Sequence, residues 1–332
     1  MDITLLASTI ARSTKQGESH GGLFLIRPFE SKYCKILDWT EENIKWGGSG
    51  GERGLRGICF YKDYLLVATN NFIIVFDEDL NEVRRICGPL LNLCHEICVG
   101  EDQLFISSTG YDLIVSYDLE QNKFSRCAKF YGSPTRSERY EIEDTKSFIR
   151  QNEFHINSVY YMDKKVYAAT GTKGDVFILS SGLDFINSFQ SDASLRLDRL
   201  QLPDSHRGFF GRKVIAHNVY PFMEGFLLNY TENHSIVYFK DGRADWLVQH
   251  PSCPPHHGVT PDLMSHGWAR GLCFTDRFAF SGSFPASVLT VDLNEKAPVG
   301  KMFLSDYMGH SVHGLEIVPP HSKFLKLWNV ND

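Results

Sequence analysis

The chain has 332 residues, 42% hydrophobic and 22% charged, with 34 Lys+Arg against 40 Asp+Glu and a net charge of −6. That balance suits a globular protein with a large core, and it argues against a nucleic-acid footprint, which needs clustered positive charge to meet phosphates. No apolar run reaches bilayer-spanning length, and Met1-Asp-Ile-Thr-Leu-Leu-Ala lacks the basic start of a secretory signal, so a cytoplasmic protein with no membrane contact is expected.

In chain order, strand-like runs at 3–8, 22–26 and 33–39 come first, three strands with no first member ahead of them. Trp46-Gly-Gly-Ser-Gly-Gly-Glu-Arg-Gly follows; no G-K-[ST] ends it, so it reads as a flexible connection rather than a phosphate cradle. Arg56-Gly-Ile-Cys-Phe then opens a unit of four strands at 57–60, 64–69, 72–76 and 83–87. His95-Glu-Ile-Cys-Val opens the next, at 96–99, 103–108, 113–117 and 123–129. His155-Ile-Asn-Ser-Val precedes strands at 166–170 and 176–179, and His217-Asn-Val-Tyr-Pro precedes 226–230 and 236–239. Arg270-Gly-Leu-Cys-Phe precedes 278–281 and 288–291, and His313-Gly-Leu-Glu-Ile has only a short tail after it.

Six such openings predict one domain over 1–332: an all-β, six-bladed β-propeller closed by three N-terminal strands plus one C-terminal strand. Sharing a blade between the two ends removes open sheet edges, so no oligomer is implied. Uneven spacing excludes a regular WD or kelch array. The variation falls in long segments at 130–154, 187–216 and 246–268, expected as loops on the face where the openings lie. Tyr131, Arg136, Arg139 and Tyr140 in the first of them, and His256, His257 and His266 in the last, are candidates to cover that face. The eight cysteines include no C-x-x-C pair, and Cys59, Cys98 and Cys273 recur at the fourth residue of an opening, where a small apolar thiol suits a packed strand.

Each opening begins with a charged or metal-competent residue near the predicted channel mouth. His95, His155, His217 and His313 are the candidate ligands of a divalent transition metal, Fe, Zn, Mn or Cu, because neutral imidazoles from separate blades suit such ions and thiolates are absent from that layer. Arg56 and Arg270 are candidate substrate-binding residues, since guanidinium pairs in plane with carboxylate or phosphate; Asn157 and Asn218 join them. Glu96 and Glu316, each within three residues of an opening histidine, are candidate catalytic acids or bases. Repeated histidines also arise from repeated packing, by capping strands and bonding neighbouring carbonyls. No G-x-S-x-G elbow, H-E-x-x-H helix or Rossmann fingerprint is present.

In strand rhythm the chain resembles the six-bladed propellers of the broad NHL and gluconolactonase-like group over nearly all its length. The resemblance implies the fold; the gluconolactonase ligand set of carboxylates and amides is replaced here by histidines, so lactone hydrolysis does not carry over. The axial histidine set is similar to those of two other propeller groups, carotenoid oxygenases with iron on four histidines and streptogramin-type lyases with an axial histidine and a divalent metal. The expected function is a metal-dependent enzyme acting on a small, anionic molecule at the axial mouth, by lyase, isomerase or oxygenase chemistry. The alternative is a non-catalytic propeller, either a protein-interaction scaffold or a small-ligand binder.

Overall fold

The computed structural model describes residues 2–12, 14–44, 46, 52–130, 137–142, 148–171, 175–190, 216–231, 234–241, 243–251, 269–305 and 309–328. Its strands are β1 (Leu5–Ala11), β2 (Gly21–Arg27), β3 (Lys32–Trp39), β4 (Ile58–Tyr61), β5 (Tyr64–Ala68), β6 (Phe72–Phe76) and β7 (Glu82–Cys87), then β8 (Cys94–Gly100), β9 (Gln103–Ser108), β10 (Leu113–Asp118), β11 (Lys123–Phe130) and β12 (Ser137–Glu141). They continue as β13 (Ile156–Met162), β14 (Lys165–Thr170), β15 (Asp175–Ser180), β16 (Phe185–Gln190), β17 (Ala216–Phe222), β18 (Gly225–Tyr230), β19 (Ser235–Lys240) and β20 (Arg243–Gln249). The last are β21 (Leu272–Phe274), β22 (Phe278–Ser283), β23 (Ser287–Asp292), β24 (Ala297–Phe303) and β25 (His310–Ile317). No helix among the described residues is long and apolar enough to cross a membrane.

These strands form six antiparallel sheets, and the fold is an all-β six-bladed propeller. One blade runs β25-β1-β2-β3, so three N-terminal strands are completed by one C-terminal strand, with Leu5 opposite Ile317 and Ala7 opposite Leu315. The chain packs as two compact units of three blades each: Met1–Cys87 with Val248–Asp332, and Gly88–Leu247.

Middle strands of the blades are rich in buried apolar residues because both faces are covered. In the first unit Leu65, Val67, Ile74 and Phe76 pack with Leu6 and Leu23, and the tail returns Phe324 and Trp328 to the same core. In the second, Phe105, Phe130, Phe154 and Phe177 are fully buried around Val159 and Val166. Each such side chain contributes about 1.5–3 kcal/mol by leaving water.

The segment at 130–154 departs from the expected loop. Residues Ser137–Glu141 add a fifth strand beside β11, with Arg126 opposite Glu141 and their charged groups 3.6 Å apart. Arg139 therefore stands on a sheet edge, where its Nη1 meets Asp184 Oδ1 at 2.9 Å, and Tyr140 Oη donates to Glu138 Oε2 at 2.9 Å. Tyr131, Arg136, His256, His257, His266 and the glycines at 47–51 lie outside the described residues.

Candidate metal centre

In the second unit each first strand carries a β-bulge at its opening. The β8–β9 ladder breaks between Cys94 and Ile97, β13–β14 between Ile156 and Ser158, and β17–β18 between His217 and Tyr220. At each break the first strand has one residue more than its partner, which bends the strand and re-aims the side chains beside it. Left-handed backbone accompanies the bulges, at Leu93 (φ 52), His155 (φ 55) and Asn218 (φ 51). Non-glycine residues adopt that region at a cost, so the surroundings must hold them there.

For His155 the holder is Asp112. Its carboxylate, fully buried, accepts the backbone N–H of His155 at Oδ1 (2.9 Å) and those of Glu153 (2.6 Å) and Phe154 (3.2 Å) at Oδ2. Burial pushes the Asp112 carboxyl above the usual carboxylate range, and the backbone N–H donors of residues 153–156 pull the other way.

The result is a cluster of three imidazoles. One ring nitrogen each from His95, His155 and His217 lies within 4.8 Å of the others. Ring centroids of His95 and His155 are 4.9 Å apart with planes at 76°, and those of His95 and His217 are 6.2 Å apart. His95 and His217 are buried and His155 is partly buried.

Each Nδ1 is tied to an oxygen. His95 Nδ1 lies 2.9 Å from the Leu93 carbonyl and 2.9 Å from Thr109 Oγ1, whose own hydrogen goes to the Ile156 carbonyl. His155 Nδ1 is 2.9 Å from Asn152 Oδ1, and His217 Nδ1 is 2.7 Å from Thr231 Oγ1. A carbonyl oxygen only accepts, so Nδ1 of His95 and His155 carries the proton and Nε2 carries the lone pair in the neutral ring. That is the tautomer in which a histidine ligates through Nε2, its other nitrogen oriented by the protein.

Two other expected residues also meet. Asn218 Nδ2 donates to Glu96 Oε2, and Asn218 Oδ1 accepts from Asn229 Nδ2 at 3.3 Å; both side chains sit in the residue next to a cluster histidine. Asn157 Nδ2 donates to the Ala216 carbonyl at 3.0 Å, a tie from one blade to the next.

The remaining candidates are in the first unit. His313 is the extra residue of a bulge in β25, between Val312 opposite Thr9 and Gly314 opposite Ser8. Its Nε2 is 3.0 Å from Arg270 Nη1. An arginine N–H can only donate, so the lone pair expected to ligate a metal is engaged by a cation instead. The imidazole cluster thus holds three of the four expected histidines. Arg56 Nη2 donates to Asn70 Oδ1 at 3.5 Å. Glu316 accepts the Ile317 N–H at 3.1 Å, and desolvation pushes its carboxyl up to about 7.

Thr109, Asp112, Asn152 and Thr231 were not singled out by sequence. A signal for the threonines exists: His95 to Thr109 and His217 to Thr231 are both 14 residues apart, as are Arg56 and its partner Asn70.

No protein-family model matches the chain, and no curated protein sequence matches it. Among solved structures it is similar to a chain of a nidogen/laminin complex, with TM-score 0.59 and 9% identity over 96% of this chain and 99% of that one. It is also similar to a protein of unknown function from Bacteroides caccae, with TM-score 0.54 and 11% identity over 96% of this chain and 99% of that one. At such identities the likeness is one of fold alone.

Proposed function

We propose that the protein is a metal-dependent enzyme acting on a small, anionic molecule, with its metal held in the second unit by Nε2 of His95, His155 and His217. The observation that carries this reading is the gathering of three imidazole nitrogens within 4.8 Å while every Nδ1 is anchored on oxygen. Three protein ligands are the number found at catalytic rather than structural zinc sites, where a coordination position stays open. Fe, Zn, Mn or Cu each suit imidazole donors. A tetrahedral ion with metal–nitrogen bonds of about 2.0–2.1 Å needs ligand nitrogens about 3.3 Å apart.

When bound, such an ion supplies Lewis-acid polarisation of an anionic oxygen substrate. The chain adds Glu96, whose carboxylate is buried beside His95 and steered by the Asn218 amide, as the group that would take or return a proton. Lyase, isomerase and oxygenase chemistry all fit this set. The seven described cysteines form no disulfide, which suits a reducing, cytoplasmic compartment. Kinship with NHL and gluconolactonase-like propellers rests on strand rhythm, and the imidazole donors point to chemistry other than lactone hydrolysis.

A second reading, a non-catalytic scaffold or small-ligand binder, is favoured by the edge-to-face packing of His95 on His155, which neutral rings adopt without an ion. Metal analysis separates the two. Protein purified anaerobically and reconstituted with each ion in turn should bind one near-stoichiometrically, and His155→Ala with His217→Ala should abolish it. Failure of all four ions to bind the wild-type chain would leave the packing reading in possession.

A further inference from the structure

One blade of the second unit is built differently from the rest. Its sheet has five strands, β12-β11-β10-β9-β8, where the other sheets have four among the described residues. The added strand walls one side of a cleft of about 490 Å³ that lies between this blade and the β15–β16 turn of the next, a volume within the range of small-molecule sites. Arg139 ties the added strand to that turn through Asp184, at 2.9 Å.

Its lining includes a preformed hydrogen-bonding set. Ser116 Oγ donates to Gln103 Oε1 at 2.9 Å, and Ser125 Oγ lies 2.9 Å from Ser116 Oγ and 3.3 Å from Gln103 Oε1. The Gln103 amide also bonds the Asp118 carboxylate, which the Gln121 N–H fixes at 2.7 Å. A hydroxyl has one hydrogen and two lone pairs, so the serines keep acceptor capacity for a ligand after bonding each other. Phe124 in the same lining is held by Tyr117, ring centroids 5.0 Å apart, and by Gly88, where a Cβ would lie 2.4 Å from the Phe124 ring. Two cations, Lys123 and Arg126, and two anions, Glu101 and Glu141, complete the polar part. They are interspersed, with Arg126 Nε 3.6 Å from Glu141 Oε1, so opposite charges cancel at a distance while donors and acceptors stand side by side.

We propose that this cleft binds a neutral saccharide, its hydroxyls bonded to Ser125, Arg126 and Glu141 and one face of the sugar laid against Phe124. A sugar hydroxyl donates and accepts at once, which suits a lining that sets carboxylate, guanidinium and hydroxyl groups next to one another. The C–H face of a pyranose is apolar and matches an aromatic ring whose position is already fixed. A lining ordered before the ligand arrives loses little further freedom on binding. The site shares no residue with the imidazole cluster and needs no metal.

Ligand-observed NMR titration of the full-length protein tests it, with glucose, galactose, mannose, maltose, cellobiose and lactose as probes and free lysine and glutamate as charged controls. At least one of the sugars is expected to bind saturably, with an affinity unchanged between low and high salt, because a neutral ligand has no charge for salt to screen. Arg126→Ala and Ser125→Ala should each weaken binding about tenfold, as loss of a well-made hydrogen bond implies. Thermal melts report whether these variants fold, and Glu141→Gln, at an exposed position of β12, should weaken binding several-fold and decides in place of either variant that does not. The proposal is overturned if no sugar binds wild type, or if lysine or glutamate binds in a salt-dependent way and the sugars do not. It is equally overturned if sugar binding is undiminished in the folded variants. Protein with His155→Ala and His217→Ala, expected to keep sugar binding, separates failure here from failure of the metal reading. Sugar binding lost in that protein and kept in Arg126→Ala would place the sugar at the imidazole cluster and overturn the cleft.

Discussion

The two units place a polar residue at the same point of three blades each, yet they follow it with different residues. In the first unit Arg56, Arg270 and His313 are each followed by glycine; in the second, His95, His155 and His217 are followed by Glu96, Ile156 and Asn218. Glycine lets blades meet backbone to backbone, as where Gly314 abuts the Arg56 carbonyl. Where a side chain follows instead, blades are joined by side-chain bonds: Asn157 to the Ala216 carbonyl, Ser158 Oγ to the Val219 N–H at 2.9 Å, Asn218 to Glu96. The first arrangement buries Arg56 and Arg270 at close backbone junctions. The second ties each imidazole Nδ1 to an oxygen, the arrangement on which the proposed metal site rests. One repeat position, given two kinds of neighbour, thus yields two different side-chain arrangements.

The strongest way to break the comparison is to ask whether the histidines of the second unit hold a metal. Replacing His155 and His217 together by alanine should abolish metal binding, measured by metal content after reconstitution. Metal retained by the double variant would remove His155 and His217 from the ligand set.

Glu316 offers the next largest effect. Its folded pKa, about 7, stands above the ordinary 4.5 because burial disfavours the ionised form, with the Ile317 N–H opposing. Below the ordinary value the carboxyl is protonated in both folded and unfolded chains and shifts nothing. Between there and about 7 the unfolded chain ionises first, so stability falls as pH rises, and above 7 the loss is constant. Glu316→Gln should therefore be more stable than wild type at pH 8, by up to about 3 kcal/mol, and equal to it near pH 4. Denaturant melts at the two pH values check this, and a pH-independent difference would mean that the Glu316 carboxyl has the same pKa folded and unfolded.

Much of the fold was legible because blade strands announce themselves: apolar runs separated by Asp, Gly or Lys turns recur from Arg56 onward, and the ends of the chain supply complementary fragments. What the pattern did not carry is the bulges. An alternating or continuous apolar run fixes which residues form a strand, but the extra residue at His95-Glu96, Asn157 or Asn218-Val219 shows only in the ladder. For the same reason the strand Ser137–Glu141 reads as loop, since its composition, Ser-Glu-Arg-Tyr-Glu, is that of a solvated edge. Equivalence by position also put His313 with the other histidines. Its chemistry is set by Arg270, which no spacing within one blade reveals. The threonines could have been found from the recurring 14-residue interval that links an opening to the end of the following strand.

Glycine substitution sharpens the contrast at a smaller scale. A methyl on Gly314 meets backbone, the Arg56 carbonyl at 2.4 Å, together with Ser8 Oγ at 2.7 Å. Backbone yields little, so Gly314→Ala should cost about 2 kcal/mol of stability. A methyl on Gly171 in the second unit first meets side-chain atoms, Asn157 Nδ2 at 2.5 Å and His155 Cδ2 at 2.9 Å. Gly171→Ala should cost less than Gly314→Ala, yet weaken metal binding by turning the His155 ring. Paired thermal melts and metal titrations test both halves.

The mildest change bears on the tautomer. Thr109 accepts the His95 Nδ1 hydrogen and passes its own to the Ile156 carbonyl, so it links the ring of one blade to the backbone of the next. Thr109→Val keeps the shape and removes the hydroxyl. The Leu93 carbonyl, also 2.9 Å from Nδ1, still accepts the hydrogen, so the ring keeps its tautomer and loses only part of its orientation. Metal affinity should then fall about tenfold, the low end for loss of an outer partner to a ligating histidine. Competition with a chelator of known affinity measures it. If affinity holds while stability drops, Thr109 supports the blade junction only, and contact with His155 fixes the His95 ring. If affinity falls while the melt is unchanged, the hydroxyl acts through the nitrogen it touches, which is the behaviour expected of a ligand and not of a packed ring.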